Sequence, residues 1–113
     1  MCTDYRGINA ITKRDAYPLP NIDDLLFTIG PKRFFSSLDL FSGFWQIKLH
    51  PDSKEKTAFS TPAGHYRWLV LPMGLTNAPS SFQRLMNTVL GDLSFVCVYL
   101  DDILIFLIHL MNI

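Results

Sequence analysis

Two adjacent carboxylates, Asp101 and Asp102, interrupt a run of apolar residues that favour β-structure. The apolar segments 93–98 and 103–106 flank the pair directly. A carboxylate that is buried without a partner costs free energy, because it loses its hydration. The pattern therefore predicts either a hairpin turn that lifts the pair into water or a divalent metal ion that binds the carboxylate oxygens.

The composition is that of a folded chain with a balanced charge. Of its 113 residues 49% are hydrophobic and 18% are charged, which excludes a disordered protein. The formal net charge is zero, whereas nucleic-acid binders are usually basic. All ten basic residues lie between Arg6 and Arg84, so Asp101 and Asp102 belong to a segment without cations. The length suits one small domain or a part of a larger one.

The cysteines and the apolar segments indicate the compartment. Cys2 and Cys97 are far apart in a chain with no secretory signal pattern, so no disulfide framework is expected. No apolar stretch is long enough to span a bilayer. We therefore expect an intracellular protein that does not enter a membrane.

Local patterns predict strands that alternate with two helices. A helix is expected over 21–29, where Asn21 can act as the N-cap. A strand is expected over 34–40, and extended structure over 44–49. The second helix follows residue 79 and ends at Gly91. Its apolar positions fall on one face, and they are Phe82, Leu85, Met86, Val89 and Leu90. This order of elements favours an α+β fold with an antiparallel sheet.

Asp39, near the end of the predicted strand 34–40, is the second carboxylate position of interest. If that strand lies beside the hairpin that carries Asp101 and Asp102, three carboxylates converge at one edge of the sheet. Such a group suits two magnesium ions that are roughly 3.5–4 Å apart. The alternative is that Asp101 and Asp102 form a polar two-residue turn and that Asp39 merely ends its strand.

Several ordered blocks between Asp4 and Asp102 carry a resemblance to a known family. The blocks are Asp4-Tyr5-Arg6 with Asn9, Tyr17-Pro18-Leu19-Pro20 with Ile22-Asp23-Asp24-Leu25-Leu26, Phe35-Ser36-Ser37-Leu38-Asp39-Leu40 with Ser42-Gly43, Lys56-Thr57-Ala58-Phe59, Leu71-Pro72-Met73-Gly74-Leu75-Thr76-Asn77-Ala78-Pro79 with Phe82-Gln83, and Tyr99-Leu100-Asp101-Asp102. With these blocks the chain resembles the reverse transcriptases of gypsy-type long-terminal-repeat retrotransposons and, more distantly, of retroviruses.

The resemblance implies part of a right-hand polymerase, as found in retroelement Pol polyproteins. Residues 1–13 and 47–77 would belong to the fingers, and residues 14–46 and 78–113 to the palm. The palm would hold an antiparallel sheet with helices packed on one face. The chain would stop before the primer grip and the thumb of the family.

The resemblance also implies an RNA-directed DNA polymerase, which is a nucleotidyltransferase. Asp39, Asp101 and Asp102 would be catalytic and would hold two Mg²⁺ ions, with Mn²⁺ as an alternative and the carbonyl of Leu40 as a further ligand. A primer 3′-hydroxyl would then attack a deoxynucleoside triphosphate (dNTP), and pyrophosphate would leave.

Further residues would contact the substrates in such an enzyme. Phe44, Met73 and Gly74 would bind the incoming nucleotide. Asp4 and Arg6 would lie along the template, and Tyr99 and Leu100 would touch the primer end. From the residues alone, Phe44 is better explained by core packing beside Trp45, and Arg6 is equally well explained by a solvated surface charge.

The expected partners are an RNA or DNA template with its primer and a dNTP, and the expected location is the cytoplasm or a retroelement particle. Because the thumb and the upstream basic residues of the family would be absent, we expect the isolated chain to catalyse weakly or not at all. One alternative is a non-catalytic retroelement relic that acts as a nucleic-acid-binding or protein-binding module. Another is a simple divalent-ion site with no polymerase role. The residues leave the oligomeric state open.

Overall fold

Helices and antiparallel sheets make up the fold, as predicted. The computed structural model describes residues 2–108, and Met1 and the end of the expected palm segment, residues 109–113, lie outside them. In chain order the elements are α1 (Arg6–Ile11), α2 (Ile22–Ile29), β1 (Phe34–Asp39), three 3₁₀ turns (Gly43–Gln46, Pro51–Ser53 and Glu55–Thr57), β2 (Phe59–Thr61), β3 (Gly64–Tyr66), α3 (Ala78–Leu90), β4 (Val96–Tyr99) and β5 (Asp102–Leu107). The expectation of an α+β fold is confirmed.

The chain divides into two units. The first unit comprises the residues up to Ala16 together with Ser42–Ala78, and the second comprises Tyr17–Phe41 together with the chain from Pro79 onward. The first unit holds α1, the 3₁₀ turns and the β2–β3 hairpin, whereas the second holds α2, α3 and the three-stranded sheet.

The first unit is organised around Tyr5 and Thr57, which are both buried. The Tyr5 hydroxyl donates a hydrogen bond of 3.0 Å to the Thr57 carbonyl. The Thr57 hydroxyl in turn accepts a hydrogen bond of 3.0 Å from the Trp68 backbone N–H. Trp68 also stacks against Trp45, with the ring centroids 6.0 Å apart. The buried centre of this unit is therefore formed by Tyr5 and Thr57, whose polar groups are satisfied, whereas the stacked ring of Trp45 stays 50% exposed.

The prediction of extended structure over 44–49 is wrong in its first half. Residues Gly43–Gln46 form a 3₁₀ turn, in which the Trp45 N–H donates to the Ser42 carbonyl over 2.8 Å. Ser42 has a left-handed backbone with φ of 54°, which turns the chain before an extended segment can form. Extended structure is seen at Lys48, which pairs with Val70 in an isolated antiparallel bridge.

The sheet of the second unit has the strand order β1-β5-β4, and both pairings are antiparallel. The central strand β5 buries Ile103 and Phe106. All six residues of the edge strand β1 are exposed. The register pairs Asp102 with Asp39 on one side and with Tyr99 on the other. The strand ends that carry the acidic residues are thereby brought to the same edge of the sheet.

Helix α2 confirms the sequence prediction in both its position and its cap. The Asn21 side chain accepts a hydrogen bond of 2.9 Å from the Asp23 N–H, and this satisfies one of the free donors at the helix start. The helix ends at Gly30, whose φ of 59° suits a residue without a Cβ atom.

Helix α3 is also confirmed, although only part of its apolar face is covered. Phe82 and Met86 are buried, whereas Leu85 is 44% exposed and Val89 is 65% exposed. Gln83, which lies beside this face, is fully buried. Within residues 2–108, none of the helices has the length and apolar character needed to cross a membrane.

Candidate functional site

Three carboxylates meet at one edge of the sheet in the second unit. Asp39 is the last residue of β1, Asp102 is the first residue of β5, and Asp101 lies in the turn before it. One carboxylate oxygen from each residue lies within 4.8 Å of the others. The prediction that the two strands are neighbours and that their acidic residues converge is therefore confirmed. We refer to Asp39, Asp101 and Asp102 as the acidic cluster.

The turn that presents the acidic cluster has an unusual backbone. The turn residues are Leu100 and Asp101, since Asp102 already belongs to β5. Leu100 has φ of 54°, a left-handed conformation that is disfavoured for a residue with a Cβ atom. The Leu40 N–H donates a hydrogen bond of 2.9 Å to the Asp101 carbonyl, which ties the turn to the end of β1.

The environment of the acidic cluster suits a cation. Asp39 and Asp102 are exposed, and Asp101 is half-buried. Among residues 2–108, none of the three forms an ion pair with a Lys or Arg side chain. Three like charges at this separation repel one another, so a divalent cation would be attracted to them. Carboxylate oxygens are also the ligands that Mg²⁺ and Mn²⁺ prefer. The donor set therefore fits the expected metal.

Gln83 of α3 supports the turn from inside the unit. Its side chain is fully buried and bonds to the backbone on both sides of Tyr99. The amide oxygen accepts a hydrogen bond of 2.7 Å from the Leu100 N–H, and the amide nitrogen donates one of 3.1 Å to the Val98 carbonyl. In the sequence Gln83 belongs to one of the blocks that carry the family resemblance, but no function was predicted for it.

The residues expected to bind the nucleotide all lie in the first unit. Phe44 is half-buried in the 3₁₀ turn Gly43–Gln46, and Met73 is 65% exposed. Gly74 has φ of 96°, and its carbonyl accepts a hydrogen bond of 2.8 Å from the Asn9 side chain. The backbone conformation by itself explains a glycine at this position. Nucleotide binding by these residues remains a prediction.

The residues expected along the template, Asp4 and Arg6, form an exposed ion pair of 2.7 Å. The Arg6 guanidinium beside Asp4 holds the pKa of that carboxyl below its usual value. Asp4 also lines a groove of about 500 Å³ in the first unit, together with Lys56 and Phe59. An exposed pair of this kind contributes little to stability. The template role of Asp4 and Arg6 stays a prediction.

The sequence and the fold match known reverse transcriptases. The family model described as reverse transcriptase (RNA-dependent DNA polymerase) matches residues 1–110. The chain is 50% identical over 105 residues to the retrovirus-related Pol polyprotein from transposon 297 of Drosophila melanogaster, and the match covers 91% of this chain. It is also 50% identical over 107 residues, or 94% of the chain, to the enzymatic polyprotein of Cauliflower mosaic virus (strain Strasbourg).

Solved structures show the same fold. The foamy viral protease-reverse transcriptase in complex with an RNA/DNA hybrid superimposes with a TM-score of 0.88 at 27% identity, over 96% of this chain and 15% of that one. The native protease-reverse transcriptase of prototype foamy virus gives a TM-score of 0.80 at 33% identity, over 90% of this chain and 14% of that one. The chain spans only 10% of the transposon polyprotein and 16% of the viral one. It belongs to the reverse transcriptase (RNA-dependent DNA polymerase) family.

Proposed function

We propose that the chain carries the catalytic metal centre of an RNA-directed DNA polymerase, which transfers a nucleotide from a dNTP to a primer 3′-hydroxyl. The observation that carries the proposal is the acidic cluster, whose carboxylate oxygens lie within 4.8 Å of one another in a chain of the reverse transcriptase family.

Asp39, Asp101 and Asp102 would hold two Mg²⁺ ions, with Mn²⁺ as an alternative and the Leu40 carbonyl as a further ligand. When bound, such ions neutralise charge on the reacting phosphate and activate the attacking hydroxyl. The chain itself supplies preorganisation, because the register places Asp39 opposite Asp102 and the hydrogen bond from Leu40 fixes the Asp101 peptide. The exposure of Asp39 and Asp102 leaves the cluster open to a substrate.

The substrate contacts in this proposal follow the family motifs. Phe44, Met73 and Gly74 would contact the incoming dNTP, and Tyr99 and Leu100 the primer end. Met73 and Gly74 would belong to the fingers, and Tyr99 and Leu100 to the palm. Phe44 would lie near the end of the first palm segment, residues 14–46. The solved relative that binds an RNA/DNA hybrid supports a template–primer as the partner.

Asp4 and Arg6 would lie along the template, as part of a positively charged unit. Seven of the ten basic residues belong to the first unit, which holds only four of the ten acidic ones. Lys and Arg side chains supply most of the affinity for a nucleic-acid backbone. The whole chain is nevertheless neutral, so we expect it to bind a template–primer weakly and to extend a primer slowly.

The test is single-turnover incorporation of one nucleotide into a primed RNA template, with the 113-residue chain in excess. We expect slow, Mg²⁺-dependent incorporation that Asp101→Asn reduces at least about 100-fold, the scale on which one preorganised charged or polar group acts. Asp92→Asn is the matched control, because Asp92 is an exposed acid of the same unit outside the acidic cluster, and it should leave the rate unchanged.

Two results would contradict the proposal. Incorporation by Asp101→Asn at the wild-type rate would remove the acidic cluster from the chemistry. Binding of the template–primer by the wild-type chain with no incorporation at all would instead favour the alternative of a nucleic-acid-binding module.

A further inference from the structure

We propose that Gln83 is a positioning residue for the acidic cluster. Its buried side-chain amide binds the backbone at Val98 and Leu100 and so holds the turn Leu100-Asp101 in the conformation that brings Asp101 and Asp102 to Asp39. The inference rests on the proposed function in one respect, since it takes the acidic cluster to be a site for a divalent cation.

The orientation of the Gln83 amide is determined by its partners. The backbone N–H of Leu100 can only donate, so the group facing it at 2.7 Å is the amide oxygen. The carbonyl of Val98 can only accept, so the group facing it at 3.1 Å is the amide nitrogen. One buried side chain thereby satisfies a donor and an acceptor on the two sides of Tyr99.

The backbone of the turn is unfavourable without such a support. Leu100 is held at φ of 54°, and its N–H lies beyond the last register pair of the β4–β5 ladder, Tyr99 with Asp102. A strained backbone persists only where its surroundings hold it in place. Without Gln83 the Leu100 N–H loses its partner in a part-buried position, and the turn can relax. Asp101 is the next residue, so relaxation would move its carboxylate away from Asp39.

Asn87 holds the Gln83 amide itself, and Tyr17 in turn holds Asn87. The Gln83 amide nitrogen also donates a hydrogen bond of 3.1 Å to the Asn87 side-chain oxygen, one helical turn along α3. The Asn87 amide nitrogen then donates one of 2.6 Å to the Tyr17 hydroxyl. Both hydrogens of the Gln83 amide are therefore used, and the side chain cannot flip without losing bonds on each side. Asn87 and Tyr17 form an outer layer of the same support.

The ordinary alternative is that Gln83 only fills space in the core, as Phe82 and Met86 do on the same helix. A residue that only fills space affects the stability of the whole unit. A positioning residue also affects the local order of the turn and the affinity of the acidic cluster for a metal ion, even when the chain stays folded. Measuring the order of the turn and the metal affinity in a folded variant therefore distinguishes a positioning residue from one that only fills space.

The experiment compares Gln83→Met, which keeps a side chain of similar length, with Met86→Ala in the full chain. Far-UV circular dichroism shows whether each variant is folded. Amide hydrogen exchange by NMR gives the Leu100 rate relative to that of Phe106, whose N–H is bonded to the Phe95 carbonyl at 2.9 Å. Electron paramagnetic resonance gives the affinity for Mn²⁺.

We expect Gln83→Met to raise the relative Leu100 exchange rate and to weaken Mn²⁺ binding, each by about tenfold, as removal of a support behind a metal ligand typically does. Met86→Ala should lower the thermal midpoint and leave both quantities near the wild-type values. The proposal is overturned if folded Gln83→Met keeps both wild-type values, or if Met86→Ala changes both as much.

Asn87→Ala provides a second variant if Gln83→Met does not fold, because Asn87 is exposed. Asn87→Ala should also raise the relative Leu100 exchange rate and weaken Mn²⁺ binding, but by less than Gln83→Met does. Wild-type values for both quantities would overturn the proposal. Failure of the proposed function gives a different result, in which wild type and Asp101→Asn bind Mn²⁺ alike. The Leu100 exchange ratio then decides by itself whether Gln83 holds the turn.

Discussion

Leu100 is the residue at which backbone strain and the acidic cluster meet. A left-handed backbone costs a residue with a Cβ atom roughly 1–2 kcal/mol, and Leu100 has φ of 54°. A hydrogen bond such as the one between its N–H and Gln83 contributes about 0.5–1.5 kcal/mol net. The two magnitudes are comparable, so this contact is large enough to decide whether the turn keeps its conformation.

Cys97, in the middle of β4, provides a test of packing at the scale of one residue. It is half-buried and lines an apolar cavity of about 270 Å³ together with Leu25 and Leu104. Burial raises the pKa of the Cys97 thiol, so less of the reactive thiolate is present near neutral pH.

We expect iodoacetamide to alkylate Cys97 about tenfold or more slowly than the exposed Cys2 in the folded chain near neutral pH. The rate at Cys97 should rise as the pH increases, because its raised pKa shifts thiolate formation to higher pH. Mass spectrometry of the two cysteine peptides over time measures both rates, and urea should abolish the difference. Equal rates in the folded chain would show that β4 is more open than the structure indicates.

At the scale of elements, helix α2 was predictable because its signals are local. Asn21 caps it, acidic residues occupy its first turn, and Gly30 ends it. The 3₁₀ turn Gly43–Gln46 was not predictable in the same way, because a left-handed Ser42 replaces the extended backbone that the neighbouring aromatic residues favour. Helix α1 also lacks a side-chain cap, an acidic residue in its first turn and a basic residue in its last turn, so the sequence carried no signal for it.

The cap of α2 can be tested by substitution. Asn21→Ala removes the acceptor for the Asp23 N–H and should lower the free energy of unfolding by about 1 kcal/mol. Asn21→Ser keeps an acceptor at the same position and serves as the matched control, with a loss of no more than a few tenths of a kcal/mol. Urea denaturation followed by circular dichroism measures both. Equal midpoints for Asn21→Ala and wild type would show that the cap contributes nothing.

At the scale of the whole molecule, the two units differ in charge although the chain is neutral. The first unit has seven basic and four acidic residues, and the second has three basic and six acidic ones. The positive unit suits phosphate groups, whereas the negative unit, which contains the acidic cluster, suits metal cations. The net charge of the whole chain does not show this difference, because the excess of basic residues in the first unit equals the excess of acidic residues in the second.

The acidic cluster was predictable from the sequence only in part. The apolar segments around Asp101 and Asp102 indicated a hairpin, but the position of Asp39 depends on which strands are neighbours, and that is a property of the tertiary fold. Only the family resemblance predicted that Asp39 lies beside Asp101 and Asp102. Gln83 was missed because its function depends on two backbone groups of a different element, the turn after β4.

The most direct test of the central claim, that Asp39, Asp101 and Asp102 form one site for divalent cations, is a titration of the chain with Mn²⁺ followed by electron paramagnetic resonance. We predict that wild type and Asp92→Asn bind Mn²⁺ with equal affinity. Asp39→Asn should bind at least about tenfold more weakly, because it removes a charged ligand from the site. Equal binding by Asp39→Asn and wild type, or no binding by wild type, would contradict the claim.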